Sequence, residues 1–142
     1  LGLEGAVVVT SARVRRYLMH SARTFVFSTA PLPAVAHAGL TAIEFVRQME
    51  QQRAQLQASA RMLREGIAHA GYQAGNSTTQ IVPLICGSEQ HALTLAAQLL
   101  HQGFHAKAIR PPTVKESRIR FSLNAGIGSE DIARLLAALG KV

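Results

Sequence analysis

The second half of the chain carries a hydrophobic pattern that changes period at regular intervals. "QIVPLICG" (80–87) is a short apolar run, and "SEQHALTLAAQLLHQ" (88–102) repeats its apolar positions every three or four residues. "FHAKAIR" (104–110) returns to a strand-like run. After the connection "PPTVKES" comes "RIRFSLNA" (118–125), where apolar and polar residues alternate, then "EDIARLLAAL" (130–139) with helical spacing. Gly103 closes the first of these helices, and Ser129 is the expected N-cap of the second, with Glu130 and Asp131 in its first turn. Pro83 places the first strand at a sheet edge, because proline has no N–H to give a ladder. The order β-α-β-β-α predicts a small, mostly antiparallel sheet backed by helices, an α+β domain.

Upstream the pattern differs. "GAVVVT" (5–10) is β-branched and apolar without alternation, as in a strand covered on both faces. Ser11 then caps a short helix "ARVRRYLMHSA", and "TFVFST" (24–29) reads as a second strand. Such a β-α-β unit needs further strands beside it, so residues 1–30 read as the tail of a larger domain, and the opening "LGLEGAVVV" without a methionine reads as a fragment of something longer.

Pro31 and Pro33 open a long helical segment from Ala34 to Ala70, with Gly71 as its C-cap glycine. Unbroken, it would reach about 55 Å. Its first half, "AVAHAGLTAIEFV", is apolar nearly all round and is expected to be buried; Gly39 leaves room for a bend. The second half is amphipathic, with Met49, Leu56, Ala60, Leu63 and Ile67 at helical spacing. The expected division is therefore a large-domain remnant at 1–33, a connecting helix at 34–71 and a small α+β domain at 72–142.

Composition narrows the class. With 48% hydrophobic and 16% charged residues, 142 residues predict a folded chain with an ordinary core. The formal charge of +7 favours anionic partners, but no five basic residues run together, and 5% aromatics without tryptophan leave little for base stacking. Nucleic acid is not the expected partner. The single cysteine, Cys86, excludes an internal disulfide and reads as a small buried hydrophobe in a reducing compartment. No apolar run is long enough to span a bilayer, and no targeting segment is recognisable, so a cytoplasmic protein without membrane contact is expected.

The candidate chemistry lies in "AIRPPTVKESRIRFSLNAG". Alternation puts Ile119, Phe121, Leu123 and Ala125 on one side of a strand and Arg118, Arg120, Ser122 and Asn124 on the other. Two guanidiniums about 6.5–7 Å apart along a strand suit a carboxylate or a phosphate. Arg110 could meet the same site if the diproline turn folds back. "FSTA" (27–30) offers the hydroxyls of Ser28 and Thr29 before a helix start, where anions are readily bound, although ordinary turn chemistry explains it equally. His101 and His105 have metal-like spacing, but Gly103 breaks the helix between them and no third ligand is in view, so no metal is expected. A non-catalytic basic module binding RNA or a small anion is the rival reading.

"SARTFVFSTAPLPAVAHAGLTAIEF", "QIVPLICG" and above all "AIRPPTV…RIRFSLNA…SEDIARLLAAL" resemble the C-terminal part of the α-oxoamine synthases, over nearly all of the chain. The resemblance implies the small C-terminal domain of a fold-type-I enzyme that uses pyridoxal 5'-phosphate (PLP), a homodimer, and the decarboxylating condensation of an amino acid with an acyl-CoA. Alanine and pimeloyl-CoA, in biotin synthesis, are the substrates it favours; another amino acid, such as glycine, with another acyl-CoA is the alternative. It assigns Arg120 to the substrate carboxylate, Arg118 to a supporting role and Thr113 to the substrate's vicinity. Ser28 and Thr29 match hydroxyls that reach the cofactor phosphate of the other subunit.

The family's Schiff-base lysine falls just upstream of Leu1, and Lys107, Lys115 and Lys141 sit at the wrong places to replace it, so the chain alone is expected to be inactive. The "VKES" loop is about two residues shorter than the family's and lacks its proline and glycine. Ile127 stands where histidine is frequent, and "STAPLP" shifts the usual paired prolines. These departures touch acyl-chain specificity.

Overall fold

A computed structural model describes residues 2–140; Leu1, Lys141 and Val142 lie outside the described residues. The chain divides into two compact units, residues 1–49 and 50–142.

The first unit is helical. Helix α1 (Ala12–Ser21) starts where expected, with the Ser11 side chain accepting from the Val14 N–H. A four-residue helix α2 (Arg23–Val26) and a longer α3 (Pro33–Arg47) follow, the latter with its proline in the first turn. The expected strands at 5–10 and 24–29 do not form: the first segment has no regular structure, and the second is helix α2 as far as Val26 and a turn after it. A strand exists only when its N–H and C=O groups meet a ladder partner, and no described segment pairs with either. Val7, Val8 and Val9 are 80%, 71% and 92% exposed. Likewise α3, expected to be buried, has no buried residue, and Leu40 and Phe45 face solvent.

The long helix is interrupted at Gln48 and Met49, not at Gly39. The Gln48 N–H turns to the Phe45 and Val46 carbonyls and the Met49 N–H to Val46, tightening the end of α3. Neither residue is a helix breaker, and nothing in the local sequence explains the interruption.

The second unit follows the periodic pattern closely. Helix α4 (Glu50–His69) leads to β1 (Ile81–Ile85), α5 (Glu89–His101), β2 (Lys107–Ile109), β3 (Arg118–Ser122) and α6 (Ser129–Leu139). The sheet order is β1-β3-β2, antiparallel throughout, with β3 in the centre and the Pro83 strand at an edge as expected. Helix α4 packs on β1 and α6, and α5 on β2 and β3, all against one face. Ala60, Leu63 and Ile67 of α4, Val82 and Leu84 of β1, and Ile119 of β3 are fully buried there. Each large aliphatic side chain so buried contributes about 1.5–3 kcal/mol.

Chain ends of the elements obey simple chemistry. Gly71, at φ +89°, and Gly103, at φ +85°, let the chain leave α4 and α5 in the left-handed region. The Tyr72 N–H reaches back to Ile67 and that of Phe104 to Leu99, satisfying final-turn carbonyls. The cap of α6 is Gly128, one residue before the expected Ser129, and the Asp131 carboxylate accepts the Gly128 N–H at 3.2 Å. On the outer edge of β1, the Ile85 N–H donates to the Gln73 carbonyl and the Ile81 N–H to Thr79 Oγ1. Pro83, of the same parity, has no N–H to offer.

At Gly66, helix α4 lies against the Leu136 side chain of α6. A Cβ there would stand 2.9 Å from Leu136 Cγ, with both terminal methyls nearer still. Gly66→Ala should therefore destabilise the fold by about 1 kcal/mol net, overpacking outweighing the better helix propensity. In a Leu136→Ala background the same change should instead stabilise by about 1 kcal/mol. Urea unfolding of the four proteins of this cycle measures the reversal of sign.

Candidate functional site

Strand β3 is pinned on both sides, and its alternation is set by burial. Ile119 is 0% and Phe121 5% exposed, and Leu123 continues the buried series beyond the strand. Arg120 and Ser122 point the other way and are exposed, while Arg118 is half-buried. The two arginines therefore share the face opposite the helices, as expected.

They are held differently. Arg118 Nε donates to the Glu116 carbonyl at 3.0 Å, which fixes its guanidinium near the strand's start. The Arg120 side chain makes no hydrogen bond or ion pair among the described residues, so its planar fork of donors is free to take an anion. Arg110 does not join them. It is ion-paired with Glu89 in the first turn of α5, on the helix side of the sheet.

Thr113 is exposed in the turn that follows β2, where its N–H donates to the Arg110 carbonyl at 3.0 Å. The Pro111–Pro112 bond in this turn is cis. Ser28 and Thr29 belong to the first unit. The Ser28 hydroxyl donates to the Thr24 carbonyl, one turn back, while Thr29 is exposed with no partner among the described residues.

The strand register adds one residue that sequence pattern alone does not deliver. Lys107 of β2 lies directly across the ladder from Arg120, and Ile109 across from Arg118. Alternation within "FHAKAIR" puts Lys107 and Ile109 on one face, but which residue of β3 each meets depends on the seven-residue connection. Of the remaining candidates, His69 and His91 each donate a ring N–H to a backbone carbonyl, Glu65 and Cys86 respectively. Among the described residues no three His, Cys, Asp or Glu side chains gather into a metal-binding cluster, and no helix is long and apolar enough to cross a membrane. A pocket of about 370 Å³, lined by Phe104, Phe121, Ile127, Ile132 and Arg134 among others, contains none of Ser28, Thr29, Lys107, Thr113, Arg118 and Arg120.

With this geometry in hand, comparison with known proteins is informative. The sequence matches the family "Aminotransferase class I and II" over residues 1–139. The chain belongs to that family. It is similar to an 8-amino-7-oxononanoate synthase from Cupriavidus necator, 42% identical over 146 residues that cover 97% of this chain and 36% of the relative. The chain thus spans about a third of the length of the curated relatives it matches, and the α-oxoamine synthase resemblance is borne out.

Among solved structures it is similar to an 8-amino-7-oxononanoate synthase from Francisella tularensis (TM-score 0.79, 21% identity, 92% of this chain, 38% of that one). A serine palmitoyltransferase variant from S. paucimobilis with bound PLP-myriocin aldimine is similar too (TM-score 0.80, 23% identity, 87% and 32%). At these identities the likeness establishes the fold alone, an α+β arrangement shared with part of each of those proteins.

Cys86 is buried, as expected for a packing residue. Burial pushes its thiol above the ordinary value of 9.0, and a backbone hydrogen bond from Ile119 pulls the other way. Because the folded value is raised, its contribution to stability is complete below the unfolded value and is lost as pH rises through the folded one. Cys86→Ala should flatten the loss of stability above pH 9. Iodoacetamide should modify the native thiol at least about tenfold more slowly than the urea-unfolded one, which timed mass spectrometry reads directly.

Proposed function

We propose that the exposed face of β3 is the carboxylate grip of a PLP-dependent C-acyltransferase of the α-oxoamine synthase type. The observation that carries this reading is Arg120: a guanidinium on the central strand, backed by buried Ile119 and Phe121, exposed and without a partner among the described residues. A bidentate bond from this fork orients the amino acid about its Cα, a positioning contribution worth far more than the bond itself. Arg118, tethered to Glu116, supports the charge, and Thr113 borders the same substrate.

On this reading the protein condenses an amino acid with an acyl-CoA. We take the amino acid as alanine and the acyl group as pimeloyl from the sequence resemblance, and the name 8-amino-7-oxononanoate synthase carried by the relatives supports that product, for biotin. Residues 1–33 belong to the cofactor-binding domain, 34–71 to the connector and 72–142 to the small domain of a cytoplasmic homodimer.

The residues present fit part of a PLP site. Thr29 offers an exposed hydroxyl able to donate to a phosphate oxygen, and Ser28 does so once its bond to Thr24 is exchanged. PLP supplies the electron sink for breaking bonds at the amino acid's Cα. On this reading, and by the family resemblance, none of Lys107, Lys115 and Lys141 is the aldimine-forming lysine, and the chain alone is expected to be inactive.

In the full-length enzyme, Arg120→Gln should raise the KM for the amino acid by about 10–100-fold, the loss expected of a charge-assisted pair, with the acyl-CoA KM little changed. An unaltered amino-acid KM would remove the carboxylate assignment. Ser28→Ala and Thr29→Ala together should speed PLP release in equilibrium dialysis by about tenfold, one or two hydrogen bonds to a charged group, while leaving the amino-acid KM nearly constant.

A further inference from the structure

We propose that the pocket between the α5–β2 turn and α6 binds an α-amino acid with a large apolar side chain, its ammonium on Asp131, its carboxylate on Arg134 and its side chain on the apolar floor. This site contains neither Arg118 nor Arg120 and does not depend on how their face is read.

The pocket has a volume of about 370 Å³, at the lower end of the range of small-molecule sites. Its floor is made by Phe121, Leu123, Ile132 and Leu135, all buried members of the core, and its sides by the half-buried Phe104 and Ile127. Walls of this kind give a water molecule few of the about two to four polar partners that hold it in place. An apolar group displaces such water at a gain.

The mouth carries one charge of each sign. Asp131 and Arg134, one turn apart on α6, face each other with 3.6 Å between Oδ1 and Nη1, too long for a hydrogen bond. Both are nevertheless held where they stand. The other oxygen of Asp131 accepts the Gly128 N–H, and the Arg134 guanidinium lies 5.7 Å from the centre of the Phe104 ring, itself a wall of the pocket. Arg134 donates no hydrogen bond among the described residues, so its fork is positioned but unfilled.

Across the Cα of an amino acid, the ammonium nitrogen and the carboxyl carbon are about 2.5 Å apart. The two charges of the ligand therefore meet the two of the mouth head to tail, and the side chain is left to the floor. A carboxylate without the ammonium would meet Asp131 as a like charge, and an amine without the carboxylate would meet Arg134 in the same way. The exposed pair at the mouth contributes little by itself in water, so exchanging it for the two ligand contacts costs little.

The test titrates the ¹⁵N-labelled chain with L-leucine, following the amides of residues 104–106 and 127–135. Leucine should shift them with a Kd on the order of 1 mM, and alanine should bind at least about tenfold more weakly for want of the apolar body. Leucinamide and N-acetylleucine, each lacking one charge, should bind at least about threefold more weakly than leucine. Arg134→Gln should erase the preference over leucinamide. Asp131→Asn, which keeps an acceptor for the Gly128 N–H, should erase the preference over N-acetylleucine. Unchanged spectra away from the pocket verify the fold of each variant. Equal binding of leucine and alanine, or no shift at these amides up to about 20 mM leucine, overturns the site. Shifts that vanish in Arg120→Gln but persist in Arg134→Gln overturn it too, and leave the Arg120 grip standing.

Discussion

The second unit is organised by the burial of alternate residues on one central strand. Because side chains alternate with a period of two, a one-residue slip of β3 would drive Arg118 and Arg120 into the apolar core and expose Ile119 and Phe121. The cost of burying two guanidiniums without partners far exceeds anything the ladder could return. Pairing on both sides, to β1 and to β2, makes such a slip require two ladders to break at once. The aim of the arginines is thus a by-product of packing: the hydrophobic effect places the charged face, and no bond to the guanidinium of Arg120 is needed to do so.

The helices complete that constraint. Gly66 lets α6 come close to α4 at Leu136, and the buried hydroxyl of Ser59 donates to the Ile127 carbonyl at 3.4 Å, joining α4 to the loop that leads into α6. Cys86 leaves the same core at the end of β1, where its N–H meets the Ser117 carbonyl just before β3 begins. Strand ends and helix ends are therefore tied by hydrogen bonds, and the opposite face of the sheet carries Lys107, Arg118 and Arg120 beside Ile81, Pro83, Ile85 and Ile109.

How far the sequence revealed this depended on whether each segment's partners lie nearby in the chain. From 80 to 139 every strand pairs within the same stretch, so periodicity, Pro83 and the glycines at 71 and 103 gave the elements to within a few residues. The valines at 7 to 9 carry an equally strong strand signal. Composition cannot supply a ladder, however, and without one the segment stays irregular. Helix α3 shows the same limit, since a side chain's preference for burial does not say what will cover it.

The site was legible to a similar depth. The common face of Arg118 and Arg120 follows from parity alone. Lys107 was visible only as a member of a strand, because its pairing with Arg120 is decided by how the diproline connection folds. Arg110 was misplaced for a related reason: its neighbour Glu89 is 21 residues away, and only the packing of α5 on the sheet brings them together.

The outer margin of β1 has a consequence of its own. Its three outward nitrogens are accounted for by Gln73, by Thr79 and by the ring of Pro83, so an incoming chain would find no donor with which to start zipping alongside. Growth of the sheet by recruitment of a fourth strand has to rely on that flank's carbonyls alone, which halves the ladder an added strand could make.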